Sequence, residues 1–368
     1  MPVKFVFSIL ASISLVGCMH AAARYPQPVL GGTVSSLECL KDVPEPFTES
    51  LVVESKYVQT EKSKSTLKAS RSGRSEDIQR HIQGFSKSIV HFADFYIENP
   101  NSRKGRMARA CVDVWMNTWA SARALTTDDT SKTGVAVRKW TLAALSSVLL
   151  KLKHVEGPQW TISEVQRDWL QMLAEKVMAD YGKRLDPDFK YFNNHDYWAA
   201  WAVASTGSVL GRADYLEWSV PFYQRAMGQI ETFSDGRYGY LPNEAARKQL
   251  AANYTHYALV PLVMLSDLLL DSGYKPSAQE EGKLRQLVNF AAQMILEPGA
   301  VSDVLDGEQR EVPAYKLAWL IPYLSRYPDN QLARQLYERY GGEVDGYSQA
   351  GGQLRPLYAA LSSSEDRK

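Results

Sequence analysis

From Ser75 nearly to the end of the chain, apolar residues recur at helical spacing, beginning with Ile78, Ile82, Phe85, Ile89 and Phe92 on one face. No segment alternates apolar and polar residues in the way that marks a half-buried strand. The spacing predicts helices from Ser75, over 105–125, 133–153, 164–184, 194–210 and 213–231, from Asn243 to about Leu270, and over 277–296, 314–326 and 330–340. About ten helices joined by short loops leave antiparallel neighbours as the natural arrangement, so the expected architecture is an all-α array of helical hairpins. The punctuation agrees. Glu76 and Asp77 suit the positive end of the first helix, Ser163 and Gln166 form a candidate capping box, Asp235-Gly236 marks a turn, and Pro261 is expected to kink the helix that Asn243 opens.

At 368 residues, 45% hydrophobic and 23% charged, the chain has ample surface for a sizeable core. Residues 1–23 read as an export signal: Lys4 gives a positive start, Phe5 to Val16 an apolar stretch, and Ala21-Ala22-Ala23 a small-residue cleavage site. That stretch is too short to span a bilayer, and no later segment is a transmembrane candidate. Leu15-Val16-Gly17-Cys18 offers the alternative of a lipoprotein anchored at Cys18. The expected organisation is therefore a signal peptide, 1–23, and a single catalytic domain, 24–368, in the periplasm. In an oxidising compartment the remaining cysteines, Cys39 and Cys111, are expected to pair.

Arg24 to about Leu51 is rich in Pro, Gly and Ser without lasting period, and reads as an extended arm on the body. A basic run follows. Lys56, Lys62, Lys64, Lys68, Arg71 and Arg74 face only Glu61, which fits either a solvated segment or a loop folded over an anionic chain. Removing 1–23 leaves a formally neutral protein, so affinity for a polyanion must come from such local clustering.

The stretch FKYFNNHDYWAAWAVAST, 189–206, is the first place where chemistry concentrates. Asn194 is expected to cap the helix that follows, leaving His195 at its mouth. Tyr197, Trp198 and Trp201 fall at offsets of three, four and seven from Asn194, so one face carries a polar tip and an aromatic wall. The wall suits sugar stacking and core packing alike. Arg247 and Tyr254 are seven residues apart, expected on one face of the helix opened by Asn243, about 10 Å apart along its axis. A guanidinium that grips a carboxylate beside a phenol is what elimination from a uronate needs.

Other chemistries find little support. The six histidines form no zinc-ligand spacing, and no dinucleotide, phosphate-loop or GxSxG fingerprint is present, so neither metal nor cofactor is expected. An exported, neutral chain is a poor nucleic-acid binder.

NNHDYWAAW at 193–201, LPNEAARKQLAANYTHYAL at 241–259, SKY at 55–57, ACVDVWMNTWA at 110–120 and VRKW at 137–140 together resemble the bacterial periplasmic alginate lyases of polysaccharide lyase family 5. The resemblance runs from about Cys39 to Tyr323. It implies an incomplete (α/α) toroid with a cleft that cleaves mannuronate-rich alginate by β-elimination. It carries catalytic roles to Asn194, His195, Arg247 and Tyr254, and substrate binding to Ser55, Lys56, Lys132, Thr133 and again Tyr254. It also implies the Cys39–Cys111 bridge. Lys132 and Lys64 stand where the family usually has His and Arg, which keeps or adds positive charge.

The mechanism expected from these residues begins with the uronate carboxylate, which Arg247, Asn194 and His195 would neutralise. Tyr254 would then take the C5 proton and return one to O4, its pKa lowered by cationic Arg247 and His195. Tyr197, Trp198 and Trp201 are candidates to line the subsites. The rivals are a lyase for another polyuronate such as polyglucuronate, a non-catalytic polyuronate-binding protein, and a glycoside hydrolase using Asp196 and Glu244. A monomer is expected. Whether the enzyme clears polymer mislocalised in the periplasm or feeds on outside alginate is left open by the sequence.

Overall fold

The computed structural model describes residues 39–358 apart from 62, 71 and 306. The expected signal at 1–23, Cys18, the first part of the arm, and Lys62 and Arg71 of the basic run lie outside the described residues. Eleven α-helices are present among those described: α1 (Gly73–Glu98), α2 (Arg103–Ser121), α3 (Lys132–Glu156), α4 (Glu164–Gly182), α5 (Asn194–Leu210), α6 (Ala213–Gly228), α7 (Pro242–Ala245), α8 (Ala251–Asp271), α9 (Ala278–Leu296), α10 (Leu320–Arg326) and α11 (Gln331–Arg339). The regular strands among them are limited to β1 (Glu231–Thr232) paired antiparallel with β2 (Gly239–Tyr240) across the Asp235-Gly236 turn.

Serines start most of the long helices. Ser72, Ser102, Ser131, Ser163 and Ser277 each accept the backbone N–H three residues on. A cap of this kind contributes about 1 kcal/mol by satisfying a donor with no partner inside the helix. At Ser163 only half of the expected box forms, because the Gln166 amide reaches Asn117 instead.

The helices pair as hairpins. α1, α3, α5 and α8 pack in succession as an inner row, with α2, α4, α6 and α9 returning behind them and α10 and α11 after α8 and α9. This is an incomplete (α/α) toroid. α5 is its middle: α3, α4, α6 and α8 all pack on it, and the run Tyr197–Gly207 is buried throughout. A helix apolar on every side has no wet face, which is why its small residues (Ala199, Ala200, Ala202, Ala204) let neighbours close in.

The arm is tied to α2 by the Cys39–Cys111 disulfide and by Trp119 Nε1 donating to the Pro44 carbonyl, 2.9 Å. It then runs extended through Leu51, which bridges Thr130, and crosses the start of α3, where a Cβ at Gly134 would meet the Leu51 carbonyl oxygen at 1.8 Å. Only glycine allows that approach. The disulfide closes a separation of 72 residues, so replacing both cysteines with alanine is expected to lower stability by about 4 kcal/mol on the chain-entropy argument, read as a lower urea midpoint. An unchanged midpoint would remove the bridge from the account.

Two expected boundaries move. Asn193, not Asn194, caps α5: its side chain accepts from His195 N at 3.0 Å while Asp196 accepts from Asn193 N at 2.8 Å. Nor does one helix run from Asn243. α7 ends at Ala245, a 3-10 turn with Lys248 at φ 51° intervenes, and α8 begins at Ala251. Asn243 instead donates to the Phe192 carbonyl, 2.9 Å.

Candidate active site

Each hairpin returns the chain to the same end, so the inner helices present their N-terminal turns together. There α3 begins at Lys132, α5 at Asn194 and α8 at Ala251, and contacts between these ends build the site. The positive ends of the helix dipoles favour an anion.

The break before α8 changes the relation of Arg247 to Tyr254. Off the helix, Arg247 folds back and lays its guanidinium over the Tyr254 ring, 4.2 Å from the centroid, rather than standing two turns away. Arg247 is 9% exposed, and its Nη1 donates to the carbonyls of Ser63 (3.1 Å) and Lys64 (3.3 Å). Those carbonyls belong to the basic segment, which doubles back on itself through paired backbone bonds between Val58 and Thr66 and between Lys68 and Lys56. Lys248 reaches Glu61 at 3.7 Å, and Tyr57 lies 6.4 Å from the Tyr254 ring. The segment therefore folds over Arg247 and Tyr254 as a loop.

The Tyr254 phenol is not poised as an anion. Burial, and then Tyr57, push it well above its ordinary value, and the lowering by Arg247 does not offset them. His195 cannot help, because burial and then Lys139, Arg184 and Arg247 hold its pKa well below 6.5, so it is neutral near pH 7. The expected lowering by two cations is corrected: Arg247 does lower the phenol's pKa but burial outweighs it, and His195 is not a cation.

Asn194 also departs from expectation. Its amide nitrogen donates to both oxygens of Glu244, at 3.1 and 3.0 Å, and its backbone N–H to Oε1 at 2.8 Å. Its Oδ1 is buried without a partner. The donors expected for a substrate carboxylate are thus on the buried Glu244, whose pKa burial raises and Arg247 lowers. Asp196 is equally occupied, chelated by Arg184 at 2.5 and 2.8 Å. Both carboxylates of the hydrolase reading are fully buried, so neither faces a cleft.

The aromatic wall is core. Tyr197, Trp198 and Trp201 are 1%, 0% and 1% exposed; Trp201 donates to Ser147 Oγ at 2.9 Å, Tyr197 to Gln229 at 3.2 Å, and Trp198 packs on Tyr257 and Tyr347. With neighbours on every side of α5 they have no surface on which a sugar could stack. Ser55 and Lys56 begin the loop, Ser55 Oγ accepting from Gln59 at 2.7 Å and Lys56 standing exposed over Tyr57. Lys132 and Thr133 lie at the start of α3, where Ser131 bonds Val53, two residues before Ser55.

The family signature for alginate lyase covers residues 52–301 of the sequence. The chain belongs to the alginate lyase family. Among curated members it is 33% identical to an alginate lyase of Pseudomonas aeruginosa over 84% of this chain and 86% of that one. It is 31% identical to one from Pseudomonas putida, over 97% of each. Among solved structures, alginate lyase A1-III from Sphingomonas species A1 superposes with a TM-score of 0.65 at 17% identity over 89% of this chain and 88% of that one. A form of A1-III complexed with a tetrasaccharide gives 0.68 at 18% identity over 89% of each. At these identities the superpositions establish the shared toroid.

In this family member, several residues at the site escape a linear reading. Tyr57 contacts Tyr254 from the loop. Lys316 donates to Asn253 at 2.9 Å and lies 5.8 Å from the Tyr257 ring centroid; burial and then Lys56 lower its pKa to about 8. Lys139 reaches His195 from inside α3. The signal for Lys139 was its placement: with Arg138 it puts adjacent cations within the mostly apolar run TGVAVRKWTLAAL.

Proposed function

We propose that this chain depolymerises mannuronate-rich alginate by β-elimination, after export to the periplasm. The observation that carries the reading is the convergence of Arg247, Tyr254 and His195 at the helix ends beneath a basic loop. Membership of the alginate lyase family supports the substrate, and the Cys39–Cys111 bridge supports an oxidising compartment.

The first obstacle is the substrate's own charge. A carboxylate already negative resists a second negative charge developing at C5, so it must be neutralised before the C5–H bond breaks. Arg247 retains N–H groups beyond those bonded to the loop and supplies the cation, and neutral His195 donates from Nε2. Asn194 acts through Glu244, fixing that carboxylate near Arg247.

Tyr254 completes the reaction as a neutral phenol. Its oxygen takes the C5 proton while its own hydroxyl proton passes to O4 on the same face. C5–H and C4–O4 break, C4=C5 forms, and the tyrosine ends as it began. No phenolate is required, which fits a buried phenol whose pKa is raised. Lys56 and Lys316 hold flanking carboxylates of the polymer, and Lys132 and Thr133 extend the basic rim.

Initial rates of ultraviolet absorbance on mannuronate-rich alginate, guluronate-rich alginate and polyglucuronate test the proposal. The mannuronate-rich polymer is expected to react fastest, by at least about tenfold in kcat/KM, or about 1.4 kcal/mol of transition-state discrimination. A faster rate on either other polymer overturns the specificity; no absorbance on any of them overturns the lyase.

A further inference from the structure

Lys139 is fully buried inside α3, 0% exposed, yet its two hydrogen bonds do not go to a carboxylate. Nζ lies within hydrogen-bond distance of His195 Nδ1, 3.0 Å, and donates to the His195 carbonyl at 3.2 Å. Trp140 and Tyr181 rings flank it, each 5.0 Å away. Among the described residues the other fully buried lysine shows what an ordinary structural arrangement looks like here: Lys151 pairs with Asp94 and donates to the carbonyls of Gly351 and Gln353. That clip closes the C-terminal turns onto α1 and α3. Lys139 clips nothing except the histidine.

Burying a lysine without a paired carboxylate costs stability, and an apolar side chain of similar volume would remove that cost. Groups kept at such a cost concentrate at functional sites. From this geometry we infer that Lys139 is the positioning residue for His195, fixing its ring and holding the proton on Nε2, the nitrogen that faces the substrate carboxylate. The inference rests on the proposed role of His195 as a donor.

The chemistry follows from the two nitrogens of imidazole. In the proposed arrangement Nδ1 accepts from Lys139 and carries no proton, so the neutral ring donates only from Nε2. A flipped or Nδ1-protonated ring would present a lone pair to a carboxylate and repel it. The charged groups facing His195 come from several packed elements: Lys139 from α3, Arg184 just beyond α4 and Arg247 before α8 each oppose protonation of the ring, while Tyr181 of α4 and Asp196 of α5 face Lys139.

The test begins with nitrogen NMR of histidine-labelled, full-length protein without substrate, so that it reads His195 independently of turnover. His195 is expected as the Nε2–H tautomer alone, without titration between about pH 6 and 9. The second sample is Lys139→Met, which keeps the volume of the stem and drops the buried amine, so the urea midpoint is expected to hold or rise. In it His195 is expected to show both tautomers and to titrate nearer 6.5, and kcat to fall roughly 30-fold with KM within about twofold.

An Nδ1–H tautomer in the wild-type protein overturns the inference whether or not the variant folds. So does a Lys139→Met protein with wild-type titration and turnover. A wild-type Nε2–H tautomer in a protein that yields no unsaturated product would sustain the placement of the ring and sink the lyase reading instead.

Discussion

Tyr254→Phe is expected to lower kcat by about 10⁴-fold while leaving KM nearly unchanged. Phenylalanine keeps the ring beneath the Arg247 guanidinium and edge-on to Tyr257, so packing and substrate seating survive. The lost oxygen is the atom that takes one proton and gives the other, so both halves of the proton transfer disappear together. Steady-state rates on mannuronate-rich polymer read the effect, and a variant retaining a tenth of the turnover would remove Tyr254 from the chemistry. The pH dependence separates neutral phenol from phenolate. Because burial and Tyr57 raise its pKa, a phenolate mechanism would make kcat climb about tenfold per pH unit through pH 9. The bifunctional phenol predicts a nearly flat kcat between about pH 7 and 9.

Arg247→Ala is expected to cost about 10³-fold in kcat/KM, since it removes the preorganised cation facing the substrate carboxylate. Arg247→Lys is expected to recover less than about a tenth of that loss. An ammonium is a point charge and cannot cap two loop carbonyls while also gripping a carboxylate. The same variants lose the bonds to the Ser63 and Lys64 carbonyls, so amide exchange across 57–68 is expected to accelerate in both. Full turnover in Arg247→Lys would show that charge alone suffices; unchanged exchange would show that the loop does not depend on this residue.

Helix order and most helix starts were legible because their causes are local. Ser163 and Ser277 precede their helices as caps, and the apolar spacing of 78–92 needed no tertiary information. What failed was decided at a distance. Nothing in NEAARKQLAANY breaks a helix by propensity, yet the chain leaves the helix between Ala245 and Ala251 and so brings Arg247 onto Tyr254. The double asparagine hid the cap, although Asp196 stands at the third position after Asn193 and marks the box. The aromatic wall suited sugar stacking and core packing alike, and the alanines among Tyr197, Trp198 and Trp201 already describe a helix packed on all sides. Lys139 lies 56 residues before His195, a contact that only the α3–α5 packing creates. The basic run posed a choice between solvent and an anionic chain, and its contacts with Arg247, Lys248 and Tyr254 place it over the site.

The measurement that bears most directly on the elimination is a paired count on the wild-type protein acting on mannuronate-rich polymer: unsaturated uronate by ultraviolet absorbance against new reducing ends. Elimination predicts one unsaturated ring for every new reducing end, at all times in the reaction. New reducing ends without absorbance would mean that water, not Tyr254, completes the cleavage, and would contradict the account.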